Sequence, residues 1–327
     1  MRILRTVDEV RTTLESARPG GRTIGLVPTM GALHEGHLSL IGHARAECDV
    51  VVVSLFVNPA QFNEHADLDR YPRQEQRDRE LADAAGADLL FAPAAQEVYP
   101  DGFSTSVEVL GLTDRLEGAV RGAGHFRGVT TVVAKLLNIV SPDVAYFGQK
   151  DAQQAIVIRR MVEDLNMNVR IEACPTVREA DGLAMSSRNA HLNPEERAQA
   201  LAMPRALAAA AAAVTDGERS ADVLLAAAAT AMSAFDVEPE YVELVHPDTL
   251  DPVTCLEQPA LLAIAARVGE TRLIDNVILS PSVPNAPTEL NPPSQPALHS
   301  TFSSPQFEQP TDSPPAKPRE VQATCSA

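Results

Sequence analysis

Short apolar runs alternate with helix-patterned segments along the first half of the chain, and this alternation most constrains its fold. The runs are unbroken and rich in β-branched residues, which is typical of strands covered on both faces. The predicted strands are 23–27, 50–57, 87–91, 104–110, 144–147 and 169–174. The predicted helices are 7–17, 37–48, 73–85, 129–140 and 151–165, with a Gly- and Arg-rich loop at 118–128. Alternation at this spacing predicts a doubly wound α/β domain with a Rossmann-like parallel sheet over residues 1–175.

The chain changes character after about residue 175. Asn193-Pro194-Glu195-Glu196 is typical of a helix start, with Asn as the N-cap, Pro first and acids in the first turn. The Ala-rich segment 206–213 and residues 221–235 are predicted helices. The predicted strands that follow are 241–245, 260–265 and 272–279. We therefore expect a smaller α+β domain over residues 176–280.

Residues 281–327 differ again in composition. They hold 11 of the 25 prolines, among serines, threonines and glutamines. Apolar residues there are too few to offset the chain entropy lost on folding, so we predict a disordered tail. A partner-binding role for this tail stays open.

The composition excludes several classes of protein. A net charge of −17 argues against general nucleic-acid binding, which needs a basic surface. No apolar run approaches the ~18 residues that span a bilayer, and residues 1–10 lack a signal-peptide core. The four cysteines are scattered without a CxxC pair, which predicts a reduced, cytoplasmic protein. We expect no nucleic-acid partner and no membrane partner.

Residues 27–38 join the first long predicted strand to the first helix that follows it, through a turn with two glycines and two histidines. Backbone N–H groups at such a helix start favour anions, so we predict a nucleotide site at the carboxyl end of the sheet. His34 and His37, three residues apart, can face one site. Three interpretations compete: structural histidines, a zinc site and contacts to nucleotide phosphates. The zinc motif H-E-x-x-H needs a different spacing, and the Walker and Rossmann glycine patterns are absent.

Two later segments carry groups that suit phosphate. Gly148-Gln149-Lys150-Asp151 repeats the strand–loop–helix arrangement and offers an ammonium group. Met185-Ser186-Ser187-Arg188-Asn189 offers hydroxyls, a guanidinium and an amide within five residues. Each could also be an ordinary solvated turn. Gln61 and Gln154 are neutral amides suited to a polar substrate, although lone glutamines are usually surface residues.

Five motifs together resemble the pantothenate synthetase (pantoate–β-alanine ligase) family. They occur in the family's order and spacing, and the resemblance covers about residues 1–280. The motifs are the HxGH signature in Pro28–His37, Phe56-Val57-Asn58-Pro59-Ala60-Gln61-Phe62, Tyr71-Pro72-Arg73, the stretch Gly148–Gln154 and Asp181-Gly182-Leu183-Ala184-Met185-Ser186-Ser187-Arg188-Asn189. HxGH alone is shared with cytidylyltransferases and class I aminoacyl-tRNA synthetases, whereas the combination is close to diagnostic.

The resemblance implies an AMP-forming ligase that uses ATP, (R)-pantoate and β-alanine. Pantoate would attack the α-phosphate of Mg-ATP to give pantoyl adenylate, and β-alanine would then displace AMP. The resemblance makes His37 the catalytic histidine, a proton donor, and assigns Gln61 to pantoate and β-alanine and Gln154 to pantoate. The implied ATP-binding residues are Met30, Gly31, Ala32, Leu33, His34, Glu35, Gly36, His37, Gly148, Gln149, Lys150, Asp151, Val177, Met185, Ser186, Ser187 and Arg188.

The resemblance also implies Mg²⁺ as the cofactor and a homodimer. Magnesium would be held chiefly by ATP oxygens and water, with Asp78 a candidate direct or water-mediated ligand. Three departures from the family stand out. Arg121-Gly122-Ala123-Gly124-His125-Phe126 replaces the usual Arg-Pro-Gly-His-Phe, Gln149 stands where glutamate is common, and the tail extends past the usual end of the family.

Two other functions stay open at this point. One is a related adenylate-forming nucleotidyltransferase that acts on another small carboxylic acid. The other is a non-catalytic nucleotide-binding protein that acts through its tail.

Overall fold

A six-stranded parallel sheet organises the first part of the chain. The computed structural model describes residues 1–62, 68–69 and 71–281. The strands of this sheet are β1 (Arg2–Leu4), β2 (Ile24–Thr29), β3 (Val50–Leu55), β4 (Leu89–Phe91), β5 (Val144–Gly148) and β6 (Arg170–Cys174). They lie in the order β1-β4-β3-β2-β5-β6, and every pairing is parallel.

Helices cover both faces of this sheet. They are α1 (Val7–Ala17), α2 (Glu35–Glu47), α3 (Glu75–Ala84), α4 (Ala95–Val98), α5 (Glu117–Arg121), α6 (Ala123–Val140) and α7 (Ala152–Asp164). Short 3₁₀ helices lie at Pro59–Gln61 and Gln149–Asp151. The first five residues of β3 are all buried, because side chains that point to either face meet helices. The doubly wound α/β fold predicted from the sequence is confirmed.

Two local predictions in this region are wrong. Residues 104–110 form no strand, because hydroxyl groups of α6 occupy the backbone of Val107: its N–H donates to Thr131 Oγ1 at 3.0 Å, and its carbonyl accepts from Thr130 Oγ1 at 2.6 Å. The predicted loop at 118–128 is mostly helical, in α5 and the start of α6. Its Gly128 allows α6 to pack on the 3₁₀ helix Pro59–Gln61, where an added Cβ would lie 2.2 Å from the Ala60 carbonyl oxygen.

A three-stranded antiparallel sheet follows, as predicted for an α+β segment. Its strands are β7 (Pro239–Val245), β8 (Ala260–Val268) and β9 (Thr271–Leu279), in that order. The helices beside it are α8 (Pro194–Ala200), α9 (Ala202–Thr215) and α10 (Ala221–Met232), preceded by a 3₁₀ helix at Ser187–His191. Ala202, Ala206 and Ala210 are fully buried at helical spacing, so α9 packs through small side chains.

The described residues belong to one compact unit. The boundary predicted at 175/176 lies within it and stays a prediction. Of the predicted disordered tail, residues 282–327 lie outside the described residues. Within the described ranges, no helix is both long enough and apolar enough to cross a membrane.

Candidate active site

A cavity of about 270 Å³ opens beyond the carboxyl ends of β2 and β5. Parallel α/β sheets bind ligands at this edge, because the loops that leave neighbouring strands converge there. The end of β2 and the start of α2 line one part of the cavity, and the 3₁₀ helix after β5 lines another. Residues of α5, α6, the segment 185–188 and the antiparallel sheet line most of the rest.

Many of the residues predicted from the sequence lie together in this cavity. Those that line it are Met30, His34, His37, Gln61, Lys150, Asp151, Gln154, Met185, Ser186, Ser187 and Arg188. The other predicted ATP residues lie close in sequence but do not line the wall: Gly31, Ala32, Leu33, Glu35, Gly36, Gly148, Gln149 and Val177. Their roles stay predictions.

The turn after β2 is held from behind by Asp78. This side chain, on α3, is 1% exposed. Its Oδ2 accepts the N–H of Ala32 at 3.0 Å, and its Oδ1 accepts the N–H of Leu33 at 2.7 Å. Gly31 and Ala32 both have positive φ, 91° and 51°, and the carboxylate stabilises this conformation.

This contact corrects the expectation that the turn's backbone N–H groups point outward. Those of Ala32 and Leu33 donate to a protein carboxylate. Asp78 therefore acts as a structural acceptor in this turn, and its role as a direct or water-mediated magnesium ligand stays a prediction. Since Asp78 sits among six other charged residues between 73 and 83, nothing in that pattern distinguishes it as the one that is buried.

His34 and His37 share one tautomer. The Nδ1 atom of His34 accepts the N–H of Gly36 at 3.2 Å, and the Nδ1 atom of His37 accepts the N–H of His34 at 3.4 Å. A neutral imidazole that accepts at Nδ1 carries its proton on Nε2, so both rings are Nε2–H donors. The ring centroids are 4.2 Å apart. The two side chains thus cap α2 and line the cavity at once.

Burial keeps both imidazoles neutral. It lowers the pKa of His37 to about 3, helped by the neighbouring His34 and Lys150 and opposed by Asp151. Burial also lowers the pKa of His34, again with a contribution from Lys150. At neutral pH the pair therefore offers hydrogen bonds rather than positive charge, and Lys150 and Arg188 supply the charge.

Lys150 is positioned through its backbone by β9. Asn276 Nδ2 donates to the carbonyls of Gln149 and Lys150, both at 2.9 Å. The side chain of Gln149 in turn donates to Asn276 Oδ1 at 3.1 Å. The family departure at 149 therefore lies against β9, outside the cavity lining.

The segment 177–189 is also pinned to β9. Arg178 forms two hydrogen bonds with the buried Asp275, at 2.7 and 3.0 Å. Met185 N–H donates to the Val177 carbonyl at 2.9 Å, which places Val177 behind the cavity-lining residues. Ser186 caps the next 3₁₀ helix by accepting the N–H of Arg188. Two serines and an arginine therefore reach the cavity from a braced loop.

A buried ionic network on the cavity wall was missed from the sequence. Glu117, 7% exposed, accepts two bonds from Arg272 at 2.6 and 2.7 Å, one from Arg121 at 2.9 Å and one from the Tyr241 hydroxyl at 2.8 Å. Burial would raise the pKa of Glu117, but the bonds and charge of Arg272, then of Arg121, lower it to about 2. The four residues are up to 155 positions apart in the chain, so no local pattern reveals the contact.

A parallel sheet with a cavity of lysine, arginine and amide side chains at its carboxyl edge is typical of nucleotide-binding α/β enzymes. A family model for pantoate-beta-alanine ligase matches residues 2–278. The chain belongs to the pantoate–β-alanine ligase family.

Individual relatives support this assignment. The pantothenate synthetase of Moorella thermoacetica is 55% identical over 280 residues, which are 85% of this chain and 99% of that protein. The pantothenate synthetase of Thermotoga neapolitana is 54% identical over 280 residues, 85% of this chain and 100% of that protein.

Solved structures agree. The Thermus thermophilus pantothenate synthetase superposes with a TM-score of 0.81 at 48% identity, covering 86% of this chain and all of that one. The Francisella tularensis pantoate-beta-alanine ligase, complexed with beta-gamma ATP and beta-alanine, has a TM-score of 0.70 at 35% identity over 85% of this chain and 97% of its own. The family resemblance read from the five motifs is confirmed.

Proposed function

We propose that this chain condenses (R)-pantoate with β-alanine, using ATP and releasing AMP and pyrophosphate through pantoyl adenylate. One observation carries the proposal: a single cavity of this family member is lined by imidazole, cationic and amide side chains. These are His34, His37, Lys150 and Arg188 together with Gln61 and Gln154. The comparisons give no support to a nucleotidyltransferase acting on another acid.

In the first step, a carboxylate oxygen of pantoate bonds to the α-phosphorus, and the bond to pyrophosphate breaks. Negative charge grows on the phosphate oxygens, so fixed donors that meet it there lower the barrier. The Nε2–H groups of His34 and His37, the ammonium of Lys150 and the guanidinium of Arg188 are such donors. We assign His37 the catalytic role, as a hydrogen-bond donor.

In the second step, the neutral amine of β-alanine bonds to the acyl carbon, the bond to AMP breaks so that AMP leaves, and the nitrogen releases one proton to solvent. A cavity that shelters the adenylate from water favours the amine over hydrolysis. We assign Gln61 to pantoate and β-alanine, and Gln154 to pantoate. Both line the cavity.

Magnesium enters with ATP in this proposal. We propose that phosphate oxygens and water occupy most of the coordination positions of this ion. Asp151, exposed at the cavity wall, and Asp78, behind the turn after β2, are the carboxylates that we propose as direct or water-mediated contacts to this ion. When bound, the metal neutralises phosphate charge.

The test is product analysis. The chain, incubated with pantoate, β-alanine and Mg-ATP, is expected to form AMP and pyrophosphate in equal amounts, dependent on pantoate. Formation of ADP and orthophosphate would contradict an adenylate intermediate. A panel of other small carboxylic acids tests the substrate assignment, since an equal rate with another acid would contradict it.

We also propose a cytoplasmic homodimer. Residues 103–110 support the dimer: Leu110 is 79% exposed and Phe103 36%. Among the described residues, the backbone groups of residues 104–106 and 108 have no hydrogen-bond partner. Antiparallel pairing with the same segment of a second copy would satisfy these groups under two-fold symmetry. Leu110→Lys should shift the light-scattering mass from dimer to monomer, and an unchanged dimer would contradict this surface.

A further inference from the structure

Asn58, which lines the cavity, lies at the centre of a hydrogen-bond network in the cavity wall. It is 1% exposed and precedes the 3₁₀ helix Pro59–Gln61. Its Oδ1 accepts the Tyr99 O–H at 2.8 Å and the Ala60 N–H at 3.2 Å. Its Nδ2 donates to the Gly128 carbonyl at 3.1 Å and to Gln61 Oε1 at 3.0 Å.

These partners define the orientation of the Asn58 amide. A backbone N–H can only donate and a backbone carbonyl can only accept, so Ala60 and Gly128 together exclude the flipped amide. The Nδ2 group must therefore face Gln61, and Gln61 must accept this hydrogen bond through its side-chain oxygen.

The consequence for Gln61 is that its two amide ends differ in availability. The oxygen is engaged by Asn58, whereas the Nε2 group has no hydrogen-bond partner among the described residues. Since the side chain lines the cavity, the NH₂ group is the end left for a ligand.

Tyr99 stands outside the cavity lining, behind Asn58. Its ring packs beside Phe56 and Phe103, with centroid separations of 6.1 and 5.1 Å. Burial raises the pKa of the Tyr99 phenol to about 12, so the hydroxyl remains a donor at neutral pH. The aromatic packing holds the ring in place independently of the hydroxyl.

We propose that Tyr99 is a positioning residue, which acts through Asn58 to hold the Gln61 amide with its NH₂ group toward the cavity. Gln61 then acts only as a hydrogen-bond donor to the substrate acid. The acceptor is a carboxylate or hydroxyl oxygen of that acid. The naming of pantoate as that acid rests on the proposed function.

Tyr99→Phe removes the hydroxyl and keeps the ring. We expect the KM for pantoate to rise roughly 3- to 10-fold, as for loss of one neutral hydrogen bond, while the KM for ATP and the melting temperature change little. Tyr146→Phe is the matched control, because it also removes a buried tyrosine hydrogen bond, to Glu47, away from the cavity. An equal rise in the KM for pantoate in both variants would overturn the proposal.

A double-mutant cycle tests the route through Gln61. If Tyr99 acts through Gln61, then Tyr99→Phe should cost nothing further in kcat/KM for pantoate once Gln61→Ala is present. Losses that multiply in the double variant would mean that Tyr99 acts by another route.

A measurement without substrate separates this proposal from the proposed function. The side-chain NH₂ resonances of Asn58 and Gln61, assigned by NMR with Asn58→Asp and Gln61→Leu variants, should shift in Tyr99→Phe and stay in place in Tyr146→Phe. Unshifted resonances would overturn the positioning role whatever the enzyme's activity. If the wild-type protein were inactive with pantoate but Tyr99→Phe still showed the expected shifts, only the proposed function would be contradicted.

Discussion

Glu117→Gln removes the negative charge from the centre of the buried ionic network. The carboxylate lies between the guanidinium groups of Arg272 and Arg121, and it accepts the Tyr241 hydroxyl. Because α5 carries Glu117, and β7 and β9 carry Tyr241 and Arg272, the network joins the two sheet regions of the unit. Loss of the charge leaves Arg272, whose side chain is 11% exposed, with Glu240 as its one charged partner among the described residues.

The pKa of Glu117 determines how much folding free energy the variant should lose. It falls from an ordinary 4.5 to about 2 in the folded protein. At 1.36 kcal/mol for each pH unit, this difference corresponds to about 3 kcal/mol of folding free energy at pH 7. The unfolded chain takes up the proton near pH 4.5 and the folded chain only near 2, so the contribution is complete above 4.5 and disappears as the pH falls toward 2. At pH 3.5 about 2 kcal/mol should remain.

Urea unfolding at pH 7 and pH 3.5 is the assay. The free energy of unfolding of the wild type should exceed that of Glu117→Gln by about 3 kcal/mol at pH 7. This difference should be smaller by about 1 kcal/mol at pH 3.5. Glu257→Gln, at an exposed glutamate, is the control and should match wild type at both pH values. A Glu117→Gln variant as stable as wild type at pH 7, or a gap that widens in acid, would refute the reasoning.

Three further predictions concern the cavity. His37→Ala should lower kcat/KM for ATP by roughly 100-fold or more, as for loss of a donor to a developing oxyanion, with a small change in melting temperature; near-normal pyrophosphate release would contradict the assigned role. The imidazole NMR signals of His37 in the free protein should not titrate between pH 5 and 8, since its pKa is about 3, and a midpoint near 6.5 would contradict the burial argument. Gly128→Ala should raise the KM for pantoate by displacing the Ala60 carbonyl, 2.2 Å from the new Cβ, whereas Gly42→Ala, with open space around its Cβ, should not; equal kinetics would argue against this packing.

The arrangement of the chain into layers was predictable because it depends on local periodicity. Unbroken apolar runs identified β2, β3 and β5, since a strand covered on both faces needs apolar residues at every position. The N-cap at Asn193 predicted α8, and the strands predicted at 241–245, 260–265 and 272–279 are present as β7, β8 and β9. Predictions were wrong where a distant partner decided the outcome. Residues 104–110 have strand-forming residues, but threonines of α6 bind the backbone there.

The sequence by itself determined the family and many, but not all, of the residues that the cavity brings together. His37, Lys150 and Arg188 belong to motifs in which residue type and spacing are both visible in the chain. The tertiary structure decided how these groups are held and charged. Burial makes the histidines neutral donors, Asp78 occupies N–H groups expected to face phosphate, and β9 braces the loops that carry Lys150 and Arg188. These effects depend on desolvation and on contacts between distant residues, neither of which local sequence encodes.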